Sequence, residues 1–253
     1  MLLRPLLRPS LLGLLCLATA PLLRAETLTV SAAASLTNAF KQLGQSFEAA
    51  NPSDKIVFNF AASDVLVQQI AQGAPVDVLA TADEDAMDKA ASQQLLDAAS
   101  RKRFAGNTLV LILPTEATYA LTTLADLNQP TIQKIALGNP TSVPAGRYAK
   151  DGLTRAKLWS QLEKKAIYTQ SVRQSLDYVA RSEVEAGFVY ATDALLMKDK
   201  VKVALHVPLD EAITYPIAII AQSPHKNLAS RFSAFVQSAS GQAILAKFGF
   251  IKP

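Results

Sequence analysis

The chain of 253 residues is 50% hydrophobic and 18% charged, which is ordinary for a globular protein, and its length predicts one large or two modest domains with a sizeable core. The formal net charge of +4 includes Arg4, Arg8 and Arg24 in a start without acidic residues, so the remaining chain carries +1. With so small a charge and no dense basic run between aromatic residues, no nucleic acid is expected as a partner.

The first 25 residues have the pattern of a secretory signal. Arg4 and Arg8 form a basic start, residues 10–23 form an uncharged apolar stretch that is short for a membrane span, and Ala25 is the expected cleavage position. Cys16, the only cysteine, follows a leucine rather than the small residue that precedes a lipidated cysteine. We therefore expect a periplasmic protein whose mature chain needs no disulfide.

Beyond residue 25, strand-like and helix-like segments alternate. The first set has predicted strands at 28–30, 55–60 and 76–80, and predicted helices at 36–50, at 65–72 and from 83 onward. This βαβαβα order predicts a parallel sheet with helices on its faces. A second, similar set follows up to residue 206, and two helices at 226–238 and 241–248 close the chain.

Two long apolar runs, residues 108–113 and 215–220, separate these sets, and we interpret them as segments that cross between two lobes. The predicted fold class is α/β, with two lobes that are each a mixed sheet flanked by helices and that are joined by two crossing strands. Residues 1–25 are assigned to the signal peptide, residues 26–106 and 221–253 to lobe I, and residues 107–220 to lobe II.

Four strand-to-helix junctions place small or polar residues at a predicted helix start. They are Ala34-Ser35, Ala62-Ser63, Ala145-Gly146 and Ser171-Val172, and Ser35 is expected at the N-cap of its helix. The first turn of a helix has free N–H groups and the positive end of the helix dipole, both of which attract anions. Because ligands of open α/β sheets bind at the carboxyl ends of strands, two facing lobes would bring these donors around one small anion.

None of the junctions supplies an obligatory cationic side chain. Arg147 and Arg173 lie just inside their predicted helices and are expected to point outward. Dipoles and hydrogen bonds alone would then hold the anion, and because each buried oxygen needs a partner, a small tetrahedral oxyanion fits best.

Four motifs, in this order along the chain, resemble those of the periplasmic molybdate-binding proteins of ABC importers. They are AAASLTNA at 32–39, GAPVDV at 73–78, VPAGRYA at 143–149 and VYATDA at 189–194, and the resemblance extends from residue 27 to the KFGF sequence at 247–250. It implies a two-lobe periplasmic-binding-protein-like fold that captures molybdate or tungstate between its lobes. It also implies delivery to an inner-membrane ABC permease, a monomeric state and no cofactor.

The resemblance places the ligand-binding positions at Ser35, Ser63, Ala145, Val172 and Tyr190. It implies that the two serines use hydroxyl and backbone N–H groups, that Ala145 and Val172 use backbone N–H groups, and that Tyr190 uses its phenol. The metal of the oxyanion would be reached only through its oxygens. Four of these positions coincide with the junctions derived from the helix starts, whereas Tyr190 is added by the resemblance alone.

Asp64 departs from the family pattern, in which a small polar residue often follows the second ligand serine. We expect its carboxylate to favour the first turn of its helix. The alternative is that it approaches the anion, where it would repel a dianion or accept a proton from an ion such as hydrogen phosphate. The ligand would then be another tetrahedral oxyanion, such as sulfate or phosphate.

Two other classes of protein remain as alternatives. A serine hydrolase would place Ser35 or Ser63 near His206 or His225, but no enzyme is expected, because the sequence contains neither a G-x-S-x-G motif nor a nucleotide-binding loop. A ligand-sensing domain of a regulator is disfavoured by the signal segment and by the lack of a DNA-binding module.

Overall fold

The computed structural model describes residues 26–253. The predicted signal peptide, with Cys16, lies outside the described residues. Within residues 26–253, no helix is long and apolar enough to cross a membrane.

The described chain alternates strands and helices, as the sequence predicts. The strands are β1 (Glu26–Ala33), β2 (Asp54–Ala61), β3 (Val78–Ala80), β4 (Lys102–Asn107), β5 (Leu109–Pro114), β6 (Ile135–Gly138), β7 (Ala166–Thr169), β8 (Ala186–Tyr190), β9 (Val201–His206) and β10 (Ile213–Ile219). The helices are α1 (Thr37–Ala50), α2 (Ser63–Ala71), α3 (Glu84–Ser92), α4 (Pro144–Arg155), α5 (Trp159–Leu162), α6 (Val172–Ala180), α7 (Ala191–Leu196), α8 (Lys226–Gln237) and α9 (Ala239–Lys247).

The strands form two five-stranded mixed sheets, with the orders β2-β1-β3-β10-β4 and β7-β6-β8-β5-β9. In the first sheet β1 is parallel to β2 and β3, and β10 is antiparallel to β3 and β4. In the second sheet β6 is parallel to β7 and β8, and β5 is antiparallel to β8 and β9. These two helix-flanked sheets confirm the predicted fold class.

The chain passes between the sheets twice, and of the two predicted runs only the first takes part in a crossing, through its first residue. Strand β5 lies wholly in the second sheet and β10 wholly in the first, so the crossings are at Thr108 and at residues 207–212. The apolar runs are long because both strands are interior members of their sheets and are covered on both faces. The assignment of residues 107–220 to lobe II stays a prediction. One part of this range, strand β10, pairs with strands of the first sheet.

The first sheet is covered by an aromatic cluster that brings the C-terminal helices back to the start of the chain. Phe40 and Phe47 lie one above the other on the buried face of α1 and both contact Phe232 of α8, with ring centroids 6.3 and 5.5 Å apart. Phe104 of β4 packs on Phe40 at 5.6 Å. Helices α4, α6 and α7 pack on the second sheet instead.

Candidate functional site

A small cavity lies between the two sheets, and all five predicted ligand-binding residues line it. The empty space between its lining atoms, including some that is open to solvent, amounts to about 200 Å³. The remaining lining residues are Ala33, Ala34, Ala62, Ala82, Val143 and Pro144. Because nearly all of these side chains are small, the backbone of both lobes lies close to the enclosed space.

Ser35 lies in the cavity wall but does not cap α1, so the predicted N-cap is wrong. A 3-10 turn, Ala34–Leu36, is inserted between β1 and α1, and the N-cap position falls on Leu36. The Ser35 hydroxyl instead lies 3.2 Å from the hydroxyl of Tyr215 on β10. The side chain is therefore directed by a tertiary contact rather than by its own helix.

Ser63 is the first residue of α2 and its hydroxyl also has a tertiary partner. The Oγ atom accepts a hydrogen bond of 3.1 Å from the backbone N–H of Ala82, the residue that follows the end of β3 by two positions. A serine oxygen that accepts from a protein N–H keeps its own proton for another acceptor. Ser63 can thus donate to a ligand in the cavity.

Ala145 and Val172 present backbone N–H groups, because both lie in the first turn of a helix. Ala145 is the second residue of α4, after Pro144, and Val172 is the first residue of α6. Across residues 26–253, no backbone carbonyl outside the regular elements accepts from these amides or from those of Ser35 and Ser63. The cavity is therefore lined by N–H groups that have no intrahelical acceptor.

Tyr190 is buried at the end of β8, with its ring packed edge-on against Tyr215 at a centroid distance of 5.8 Å. Its hydroxyl lies 3.4 Å from the carbonyl oxygen of Ala82, a long and weak hydrogen bond. Burial raises the pKa of the phenol well above its ordinary value, so the hydroxyl keeps its proton. Tyr190 is therefore a second side-chain donor from the lobe opposite Ser63.

Arg147 does not point outward as predicted but reaches across to the first lobe. Its guanidinium donates to Asp83 Oδ2 through Nε at 2.8 Å and through Nη2 at 2.6 Å, and Nη2 lies 2.8 Å from Asp64 Oδ2. All three side chains are largely buried. Burial also raises the pKa of Asp83 above its ordinary value, against the opposing effect of Arg147. These ion pairs hold the two lobes together beside the cavity.

Arg173 also crosses between the lobes, contrary to the prediction. Nη2 donates to the carbonyl oxygen of Ser35 at 3.0 Å, and Nη1 donates to Asn38 Oδ1 at 2.9 Å. Its Nε lies 2.6 Å from the buried Asp193 carboxylate on α7. Burial raises the pKa of Asp193 to about 6, while Arg173 acts in the opposite direction. Arg173 thus fixes the turn that carries Ser35 against the helix that begins at Val172.

Asp64 pairs with cations rather than approaching the cavity. Besides Arg147, its carboxylate contacts Lys89 Nζ at 3.2 Å, and it is not among the residues that line the cavity. The expectation that it favours the first turn of α2 is consistent with its position. The alternative in which it faces the anion is wrong for this arrangement of the lobes.

A wider groove opens beside these ion pairs and is less suited to an anion. The empty space between its lining atoms, counted in the same way, is about 1340 Å³, and its walls include Asp83, Glu84, Asp85, Asp151, Asp210 and Glu211 together with Arg103, Arg147 and Arg155. Six carboxylates against three guanidinium groups give it an excess of negative charge. The smaller cavity, whose lining in the described part of the chain includes no carboxylate, is therefore the better anion site.

The geometry expected of a serine hydrolase is not present among residues 26–253. His225 lies 3.1 Å from Asp77, to which Ser223 also donates at 2.7 Å. Neither His206 nor His225 lines the cavity that contains Ser35 and Ser63. The two cavity serines thus have no histidine beside them to act as a base.

Two helix-flanked sheets that enclose a donor-lined cavity define a protein that binds a small ligand between its lobes. Residues 28–251 match the family model described as "Bacterial extracellular solute-binding protein", and the chain belongs to this family.

Several relatives have assigned ligands. The chain is 33% identical to the molybdate-binding protein ModA of Haemophilus influenzae, over 88% of this chain and 89% of that protein. It is 34% identical to ModA of Escherichia coli, over 88% of each chain. Among solved structures, the Azotobacter vinelandii periplasmic molybdate-binding protein superposes with a TM-score of 0.80 at 23% identity, over 89% of this chain and 99% of that one.

Proposed function

We propose that the protein captures molybdate, and tungstate in the same way, and delivers it to an ABC permease in the inner membrane. Ser35, Ser63, Ala145, Val172 and Tyr190 bind the oxygens of the anion. The observation that carries this proposal is the convergence of neutral donors from both lobes on one small cavity. The relatives named as molybdate-binding proteins support it.

A doubly charged anion can be held here without a cation in contact with it. The first turns of α2, α4 and α6 meet at the cavity and direct the positive ends of their dipoles toward it. The contact between the lobes excludes water, and hydrogen bonds are stronger in such a low-dielectric environment. In this proposal no covalent bond is formed or broken when the anion binds, and no cofactor is needed.

The protein acts as a monomer in the periplasm, after removal of the predicted signal peptide. The match to the extracellular solute-binding family and the basic and apolar start of the sequence support this location. The permease would recognise the protein with its lobes closed over the anion.

Calorimetry of the processed protein with molybdate, tungstate, sulfate and phosphate tests this function. We expect molybdate and tungstate to bind much more tightly than the other two anions, because rigid lobes fix the distances between the donors. Tightest binding of sulfate or phosphate would assign a different oxyanion, and hydrolysis of an ester substrate would assign an enzyme.

Replacing Ser35 by alanine is expected to weaken molybdate binding by about 1–3 kcal/mol, because one buried ligand oxygen loses its donor. The dissociation constant from calorimetry measures this change. Ser92→Ala is the matched control, since the Ser92 hydroxyl is exposed and donates to a carbonyl of its own helix. Unchanged affinity in the Ser35 variant would remove this residue from the binding site.

Tyr190→Phe is expected to weaken molybdate binding by about 1 kcal/mol while the melting temperature of the ligand-free protein changes little. The phenylalanine ring keeps the edge-on contact with Tyr215, and only a long hydrogen bond to Ala82 is lost. Calorimetry and a thermal melt measure the two quantities. A large loss of stability with unchanged affinity would make Tyr190 a core residue only.

A further inference from the structure

Behind Ser35 lies a buried chain of hydrogen bonds that the binding residues themselves do not include. It runs from Asn107, at the end of β4, through Tyr215 on β10 to the Ser35 hydroxyl. All three side chains are buried. The donors and acceptors at each position determine the direction of these hydrogen bonds.

The amide of Asn107 is oriented by the backbone. Its Oδ1 lies 2.9 Å from the N–H of Thr108 and must be the acceptor there, because a backbone N–H can only donate. The Nδ2 group therefore points the other way, where it donates to Thr192 Oγ1 at 2.9 Å and to the Tyr215 hydroxyl at 3.2 Å. Tyr215 receives a hydrogen bond from Asn107.

The Tyr215 hydroxyl has one proton, and its remaining neighbour is the Ser35 Oγ at 3.2 Å. Burial raises the pKa of this phenol, so the proton stays on the oxygen. Tyr215 accepts from Asn107 and so donates to Ser35. The Ser35 oxygen, once it accepts this bond, has its own proton free for the cavity that it lines.

We propose that Asn107 and Tyr215 are positioning residues that hold Ser35 as a donor and thereby set which oxyanions the cavity accepts. The inference rests on the proposed function. Ser63 is held in the same state by the N–H of Ala82, so both serines direct their own proton toward the ligand. An anion that carries a proton must compete for the remaining lone pairs of oxygens whose own protons are directed at it, whereas a fully deprotonated anion accepts from both serines.

Molybdate and hydrogen phosphate provide the test, because both carry a double negative charge at slightly alkaline pH and only the second carries a proton. Calorimetry gives the molybdate affinity, and displacement of bound molybdate gives that of phosphate. In Tyr215→Phe the Ser35 hydroxyl is free to rotate and to accept. We expect the preference for molybdate over hydrogen phosphate to fall about tenfold, the factor that one hydrogen bond of typical strength provides.

Asn107→Asp is a second variant, and it is expected to reverse the direction of the hydrogen bonds between residue 107, Tyr215 and Ser35. Its carboxylate would accept from Tyr215, Tyr215 would accept from Ser35, and the lone pairs of Ser35 would face the cavity. The added charge affects both dianions, so the preference for molybdate over hydrogen phosphate should fall further than in Tyr215→Phe. Tyr119→Phe is the matched control, because the Tyr119 hydroxyl donates to Glu185 away from the cavity.

The Ser35→Ala background separates positioning from a general structural role. There, Tyr215→Phe should leave the ratio of the two affinities unchanged, because the residue through which it acts is absent. An equal weakening of both anions by Tyr215→Phe, or the same change of the ratio in the Ser35→Ala background, would overturn the inference. Wild-type protein that binds neither anion would instead overturn the proposed function, and the inference with it.

Discussion

Replacing Arg147 by methionine is expected to lower molybdate affinity about 10- to 100-fold. The variant keeps an aliphatic side chain of similar length but leaves Asp64 and Asp83 without the guanidinium that neutralises them between the lobes. Removing one partner of a buried ion pair is strongly destabilising. Here the two carboxylates regain hydration when the lobes separate, so the variant destabilises the closed arrangement relative to the open one. Part of the binding free energy must then be used to close the lobes, which lowers the observed affinity.

Calorimetry measures the affinity of the Arg147 variant, and small-angle X-ray scattering with and without molybdate measures the separation of the lobes. Arg155→Met is the matched control, because Arg155 lies on the same helix α4 and forms an exposed ion pair with Asp210. Exposed pairs contribute little, and we expect its affinity to stay within about twofold. Equal affinities of the two variants would show that the Arg147 ion pairs do not stabilise closure.

Gly146→Ala is expected to lower the free energy of unfolding by about 3 kcal/mol or more. A Cβ atom on Gly146 would lie 1.8 Å from the carbonyl oxygen of Gly138, at the end of β6. The Cβ atom is fixed to the helix backbone and the carbonyl oxygen to the strand backbone, so neither can rotate away. The start of α4 must then move away from the sheet, and forced displacements of this kind are costly. Molybdate affinity should fall as well, because Ala145 moves with the helix.

Urea unfolding measures the stability of this variant, and Gly152→Ala on the same helix is its control. There the new Cβ atom would meet a side-chain methyl of Val207 at 2.7 Å, which can rotate away. Alanine also favours the helix over glycine by about 1 kcal/mol. We expect a net change within about 1 kcal/mol. A Gly146 variant as stable as the Gly152 variant would contradict the close approach of α4 to β6.

The sequence predicts the parts of the cavity that depend on local structure. Small residues at strand-to-helix junctions indicate the segments that contain Ser63, Ala145 and Val172, because a helix start leaves N–H groups free wherever it occurs. The family resemblance then selects Ala145 and Val172 as the ligand positions within them. Tyr190 required the family resemblance, since a tyrosine at the end of a strand is more often a core residue. The prediction that Ser35 is the N-cap of α1 is wrong because a 3-10 turn precedes that helix. No residue in the segment distinguishes a 3-10 turn from the first turn of an α-helix.

The parts that depend on contacts between distant segments could not be predicted. Tyr215 is 180 residues away from Ser35 in the chain, and its apolar run predicts a crossing segment rather than a partner of Ser35. The outward orientation predicted for Arg147 and Arg173 follows from single helices considered alone. The partners that turn these two side chains inward, Asp83 and the Ser35 carbonyl, belong to the opposing lobe.

The position of β10 has a consequence for how the protein is made. Residues 109–206 contain all five strands of the second sheet, so this half is complete as soon as that stretch has left the ribosome. In the first sheet β10 lies between β3 and β4, so this sheet cannot be completed before residues 213–219 are synthesised. Until those residues are synthesised, β4 has no neighbouring strand in its sheet, so the first lobe can complete its sheet only after the second lobe has all its strands.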